Sequence, residues 1–145
     1  MSVQMRKAVA FQALHTREEP LLLPNPWDAG SAKLMASLGF EALATTSLGA
    51  SAMLGTTIAT AEIILENCRN ICAATDLPIN ADLENCFADA PKDAAQMIAQ
   101  ACEAGAVGGS IEDATGDRGT PIYDFELTVD RVRAAVETAR AQPIP

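Results

Sequence analysis

No run in this 145-residue chain approaches the roughly 18–20 consecutive apolar residues that cross a bilayer. Basic residues are in short supply, with 10 Lys and Arg against 19 Asp and Glu, a net charge of −9 and a pI near 4.4. That imbalance repels phosphate backbones and anionic lipid headgroups, so neither nucleic acid nor a membrane surface is expected as a partner. The four cysteines, Cys68, Cys72, Cys86 and Cys102, are too sparse for a disulfide framework and suit a reducing compartment, so the expected location is cytoplasmic. The opening MSVQMRKAVAFQALH carries charges and lacks a small-residue cleavage site behind an apolar core, so it does not read as a signal peptide. What the chain does have is apolar content. At 49% hydrophobic and 20% charged it can bury a core, which excludes a disordered chain.

The hydrophobic period switches repeatedly between helix-like and strand-like. Met5, Val9, Phe11 and Leu14 predict a helix over about residues 3–15. Leu21-Leu22-Leu23 reads as a first short strand, closed by Pro24-Asn25-Pro26. Asp28 is placed to N-cap a helix through Ala32, Leu34, Met35 and Leu38, stopped by Gly39. Residues 42–45 read as a second strand, followed by a loop containing Ser47, Gly49 and Gly55. Thr60 is placed to cap the next helix, with Glu62 favouring its dipole. Residues 78–82 read as a third strand, and Pro91 opens a helix to about Glu103, ended by Gly105. Residues 107–111 read as a fourth strand, and a last helix runs from about Asp124 to Ala141.

A leading helix followed by four strand–helix units calls for a parallel sheet, because only helical crossovers join parallel strands. Such units fit either an open doubly wound sheet or successive units of a (β/α)8 barrel. The flavodoxin-like option is weakened by Asn25-Pro26-Trp27-Asp28-Ala29-Gly30 after the first strand, where a Gly-rich phosphate loop would stand. Neither an internal repeat nor a domain boundary is visible, so residues 1–145 are expected to form a single domain.

Polar residues gather just after the strand ends, where α/β folds collect their ligands. Thr45-Thr46-Ser47 follows the second strand, Asp82-Leu83-Glu84 the third and Glu112-Asp113 the fourth. An Asp-x-Glu pair leaving a strand points both carboxylates to one side, and Glu112 adds a third oxygen donor. Such a cluster repels itself unless a hard cation sits within it, and Mg2+ with retained waters is the natural occupant. The plainer reading is that these acids cap the following helices and stay solvated.

Four ordered segments, LPNPWDAGSAKL, GFEALATTSLGASAMLG, LPINADLEN and AGAVGGSIEDATG, resemble the isocitrate lyase/phosphoenolpyruvate mutase family over about residues 10–140. The resemblance is closest to the mutase-like branch of phosphonopyruvate-processing enzymes and oxaloacetate decarboxylases or hydrolases. It implies an α/β fold comprising the N-terminal half of a (β/α)8 TIM-type barrel, with Mg2+ at its C-terminal mouth. The implied function is a lyase or mutase reaction on small α-keto acids or phosphonates, making or breaking C–C or P–C bonds through an enolate. On the family's motifs, Asp82 is implied as the direct Mg2+ ligand, and Glu84 and Glu112 as acids that hold metal-bound waters. Thr46, Ser47 and Leu48 are implied to contact the substrate's carboxylate or phosphonate end. No catalytic acid or base is assigned.

Departures from the pattern narrow the reading. The lyase branch carries a Lys-Lys/Arg-Cys-Gly-His stretch after Ile-Glu-Asp, whose cysteine is the acid/base. Here Ala114–Thr120 contains neither Cys nor His, which disfavours isocitrate or methylisocitrate cleavage. The family's Gly-Tyr-Gly is replaced by Cys86-Phe87-Ala88, so a positive φ at either glycine position would strain Cys86 or Ala88. The loop Gly55-Thr56-Thr57-Ile58 lacks the acid found there in mutase-like members. A (β/α)8 barrel needs about 250 residues, so a missing C-terminal half, or a homo-oligomer of partial barrels, is expected. The competing expectation is a catalytically inactive remnant or an interaction module without metal. Among single residues, His15 reads as a helix-end residue and Cys68 and Cys72 as sharers of one apolar helix face. Asp113 and Asp117 read as loop residues, and Cys86 as a mouth-loop thiol that needs a basic neighbour to react.

Overall fold

The structure, a computed structural model, describes residues 1–142; residues 143–145, the end of the expected single domain, lie outside the described residues. The chain opens with helix α1 (Val3–Leu14), capped by Ser2, whose hydroxyl accepts the Met5 N–H at 3.1 Å. Helix α2 (Ala29–Ser37) starts on Asp28, which accepts the Ser31 N–H at 2.7 Å while the Ser31 hydroxyl accepts the Asp28 N–H. Strand β1 (Leu43–Ala44), helix α3 (Ser47–Met53) and helix α4 (Ala61–Ala74) follow. Thr60 caps α4 through its hydroxyl, and Glu62 lies in the first turn, as the sequence predicts. Strand β2 (Ile79–Asp82), helix α5 (Pro91–Glu103), strand β3 (Gly108–Ser110) and helix α6 (Phe125–Arg140) complete the order.

The sheet has three parallel strands in the order β1-β2-β3, so each crossover lands on the next neighbour without reversal. A doubly wound sheet reverses that order partway, whereas a barrel winds one way. Two expectations are corrected. Leu21–Leu23 is not a strand, so the described residues contain three strands and not four. Pro20, Pro24 and Pro26 leave this segment short of N–H donors, and its link to β1 is the Ala44 N–H on the Pro24 carbonyl plus the Asn25 side-chain amide on the Ala44 carbonyl. The expected loop with Ser47 and Gly49 is the short helix α3, capped by the Thr46 hydroxyl on the Gly49 N–H at 3.2 Å. Gly49 is required there by close approach, since a Cβ would lie 2.6 Å from Thr46 and 3.0 Å from Trp27.

Alternation along β2 sorts the two faces. Ile79 and Ala81 are fully buried towards the helices, where Ile79 joins Ala32, Leu43 and Ile71, and Ala81 joins Ile64, Cys68, Met97 and Ala101. Asn80 and Asp82 point to the other face. Helix α1 lies at the end of the layer opposite the strand C-termini. Its Lys7 ammonium donates to the Thr75 and Cys72 carbonyls at the end of α4, and Gln4 donates to the Cys102 and Ala106 carbonyls at the end of α5. At the end of α4 the cation suits the negative dipole end, while at α5 the Gln4 amide adds to a Cys102 carbonyl that the Gly105 N–H already meets. His15 ends α1 and stacks edge-on against Phe11, the helix-end role read from its position.

Candidate functional site

The loops that leave β1, β2 and β3 converge at one end of the sheet. Thr45, buried beside Asp82, accepts the Asp82 N–H on its hydroxyl at 2.9 Å and so fixes where that strand ends. The Asp82 carboxylate accepts the Ser47 N–H through Oδ2 at 2.9 Å and the Glu84 N–H through Oδ1 at 3.3 Å. The Glu84 carbonyl accepts the Glu112 N–H at 2.8 Å. Hydrogen bonds therefore bring together Ser47, Asp82, Glu84 and Glu112, residues from three separate strand ends. Thr46 is occupied as the cap of α3, and the Leu48 side chain is 72% exposed.

The acids do not cap the helices that follow them. Helix α5 starts on Ala90 and Pro91, and α6 on Asp124, so the capping half of the plainer reading fails, while Glu112 stays exposed to solvent as that reading has it. Partial desolvation and then the charges of Asp82, Glu84 and Asp113 hold the Glu112 carboxyl above its ordinary 4.5. Each Asp82 oxygen keeps a lone pair beyond its N–H partner, so a hard cation fits the donor chemistry. No group of three Asp, Glu, His or Cys side chains among the described residues stands at direct ligating distance. The fit is therefore to one directly bound carboxylate with water-mediated neighbours, the manner in which Mg2+ usually binds.

The loop after β2 is strained. Glu84, Cys86 and Phe87 have φ of 48°, 60° and 54°, in the left-handed region that favours glycine, while Ala88 is spared. Together these residues cost on the order of 3 kcal/mol or more. Arg131 of α6, 1% exposed, offsets them. It donates to the carbonyls of Asn85 at 2.5 Å, Asp89 at 2.7 Å and Ala88. Charge-assisted bonds of this kind are worth about 1.5–3 kcal/mol each. The guanidinium also lies 4.3 Å from the centre of the Tyr123 ring. The Tyr123 hydroxyl donates to Asp89 at 2.5 Å and accepts from Asn85 at 3.2 Å. Burial, then the bond to Asp89, pushes that hydroxyl up, so it stays a donor at neutral pH.

Sequence reasoning missed Arg131, Tyr123 and Asn85. A signal for Arg131 was available, since it stands four residues before buried Ala135 on the inward face of α6. Cys86 is buried, and desolvation lifts its thiol to about 11 despite the nearby Arg131 charge, so it is not a reactive thiol. Cys68 and Cys72, with sulfurs 3.9 Å apart, pack within the core as expected.

Parallel strands joined through helices, with acids converging at the strand C-termini, define an α/β chain with a strand-end site. The chain belongs to the phosphoenolpyruvate phosphomutase family, whose profile matches residues 11–145. It is 31% identical over 144 residues to 2-methylisocitrate lyase of Escherichia coli K12, a match covering 92% of this chain and 48% of that protein. A lyase/mutase candidate from Burkholderia cenocepacia J2315 superposes with a TM-score of 0.96 at 53% identity, covering 99% of this chain and 52% of that one. A 2,3-dimethylmalate lyase of the PEP mutase/isocitrate lyase superfamily superposes with a TM-score of 0.82 at 25% identity, covering 97% and 50%. The chain thus spans about half the length of the relatives it matches. No helix among the described residues is long and apolar enough to cross a membrane.

Proposed function

We propose that residues 1–145 form a partial barrel carrying the cation-binding half of a lyase or mutase site for small α-keto acids or phosphonates. One observation carries the reading: the Asp82 carboxylate bonds the Ser47 N–H, joining the acid cluster to the loop after β1. In this reading Asp82 ligates Mg2+ directly, and Glu84 and Glu112 hold waters on it. Thr46, Ser47 and Leu48 receive the substrate's anionic end, partly through backbone N–H groups other than that of Ser47, which Asp82 already holds. When bound, the cation supplies Lewis-acid stabilisation of negative charge that develops on the substrate's keto oxygen. Glu84 and Glu112 orient the water shell. The lyase relative is named for 2-methylisocitrate, but the lack of Cys or His in Ala114–Thr120 favours substrates whose cleavage needs no acid there. The other half of the mouth comes from further chain or from a second copy.

A second reading, an interaction module or inactive remnant without metal, is favoured by the lack of three directly ligating side chains among the described residues. Thermal melting with increasing Mg2+ separates the two. The proposed site gives a stabilisation that rises with Mg2+ and disappears in Asp82→Ala. A flat response in the wild type, or an equal response in the variant, overturns it.

A further inference from the structure

The carboxylates stand on the loops after β2 and β3, yet the side chain that grips the first of these loops comes from α6. Arg131 is the sole charged residue among the buried side chains described, and the groups it meets are backbone carbonyls and the Tyr123 ring, with none of the site's carboxylates bonded to it. The loop it grips contains the three left-handed residues, and Glu84 is the first of them. Tyr123 precedes α6, and its N–H bonds the Asp113 carbonyl next to Glu112, so the same assembly reaches the second loop. Asn85 spans the two loops, donating to the Tyr123 hydroxyl and the Thr115 carbonyl.

We propose that Arg131 is a positioning residue whose forked guanidinium, holding the Asn85, Ala88 and Asp89 carbonyls, keeps the loop after β2 on the path that sets Glu84 beside Asp82 and Glu112. The inference rests on the Mg2+ reading above for its consequence, but not for its geometry. A lysine ammonium carries the same charge and three donors on a single nitrogen, so it cannot span carbonyls that Arg131 reaches from two separate guanidinium nitrogens. The role is therefore one of shape and not of net charge.

The test compares wild type, Arg131→Lys, Arg131→Met and Tyr123→Phe by two measurements, below the melting temperature of each. In metal-free protein, hydrogen exchange reads the Cys86 N–H, bonded to the Leu83 carbonyl, and the Glu112 N–H, bonded to the Glu84 carbonyl. Both amides exchange at least about tenfold faster in Arg131→Lys and Arg131→Met, while amides of α2 and β1 change less. Tyr123→Phe, which keeps the guanidinium but loses the bond to Asp89, moves the same amides by a smaller amount. By calorimetry, Mg2+ binding weakens about 10- to 100-fold in both Arg131 variants. Wild-type exchange in Arg131→Lys, or acceleration spread evenly over the chain, overturns the positioning role. Absence of Mg2+ binding by the wild type overturns the metal reading instead, and the exchange result still decides the role of Arg131. If Arg131→Met does not fold, Arg131→Lys and Tyr123→Phe carry both measurements.

Discussion

Glu84, Cys86 and Phe87 hold backbone angles that cost energy wherever they occur, and they do so beside the acids of the candidate site. Cys86 illustrates what burial does to a side chain that sequence alone leaves open. With its thiol lifted to about 11, only about a thousandth is thiolate at pH 8, and that fraction lies under the protein surface. Iodoacetamide at pH 8 is expected to leave Cys86 unmodified in the folded protein and to alkylate it fully in denaturant; rapid labelling of the native chain would contradict this. Glu112 gives the pH dependence. Its folded carboxyl titrates above the ordinary 4.5, so the folded state holds more protons between those two values. Stability contributed by this group therefore falls as pH rises through that window, and the deficit persists at neutral pH. In metal-free protein, Glu112→Gln is expected to melt like wild type below pH 4.5 and slightly above it at pH 7. A lower melting temperature for the variant at pH 7 would reverse the sign.

Helix α1 buries Ala8 and Phe11 and adds two polar side chains that hold the ends of other helices. Lys7→Met leaves the last carbonyls of α4 without their cation and is expected to cost about 1 kcal/mol by denaturant unfolding. Strand β3 shows the opposite constraint. A Cβ on Gly108 would lie 2.6 Å from Phe11 and 2.8 Å from Asn80, so Gly108→Ala is expected to cost about 1–3 kcal/mol, and a neutral result would show that α1 yields freely. The helices were legible in the sequence because caps announce them. Asp28, Thr60, Pro91 and Asp124 each stand at the start of the helix read from them. Leu21–Leu23 resembles a strand as an apolar run, but a strand also needs donors that the flanking prolines remove, and Leu22 stands exposed. Helix α3 was missed because Gly49 and small polar residues look like a loop until Thr46 is seen to cap it. That Asp82, Glu84 and Glu112 stand at strand ends was legible as a motif, but the Arg131 clamp was not, since its partners are backbone carbonyls that sequence does not mark.

At the scale of the whole molecule, the chain matches about half of each relative over nearly all of its own length. The free edge of β3 and the adjoining groove of about 180 Å3, lined by Leu83, Ile111, Val132 and Val136 among others, present apolar surface, with Val132 and Val136 each about two-fifths exposed. Light scattering of the 145-residue chain is expected to give a mass of at least twice 15.2 kDa, and a strict monomer would contradict pairing between copies. In the proposed reading, the cation half of the site lies within this chain whatever completes the mouth. Electron paramagnetic resonance with Mn2+, which shares the oxygen-ligand preference of Mg2+, reads that half without requiring turnover. The account predicts one bound Mn2+ per chain, displaced by Mg2+ and lost in Asp82→Ala; free Mn2+ throughout the titration, or the same binding in the variant, would contradict it.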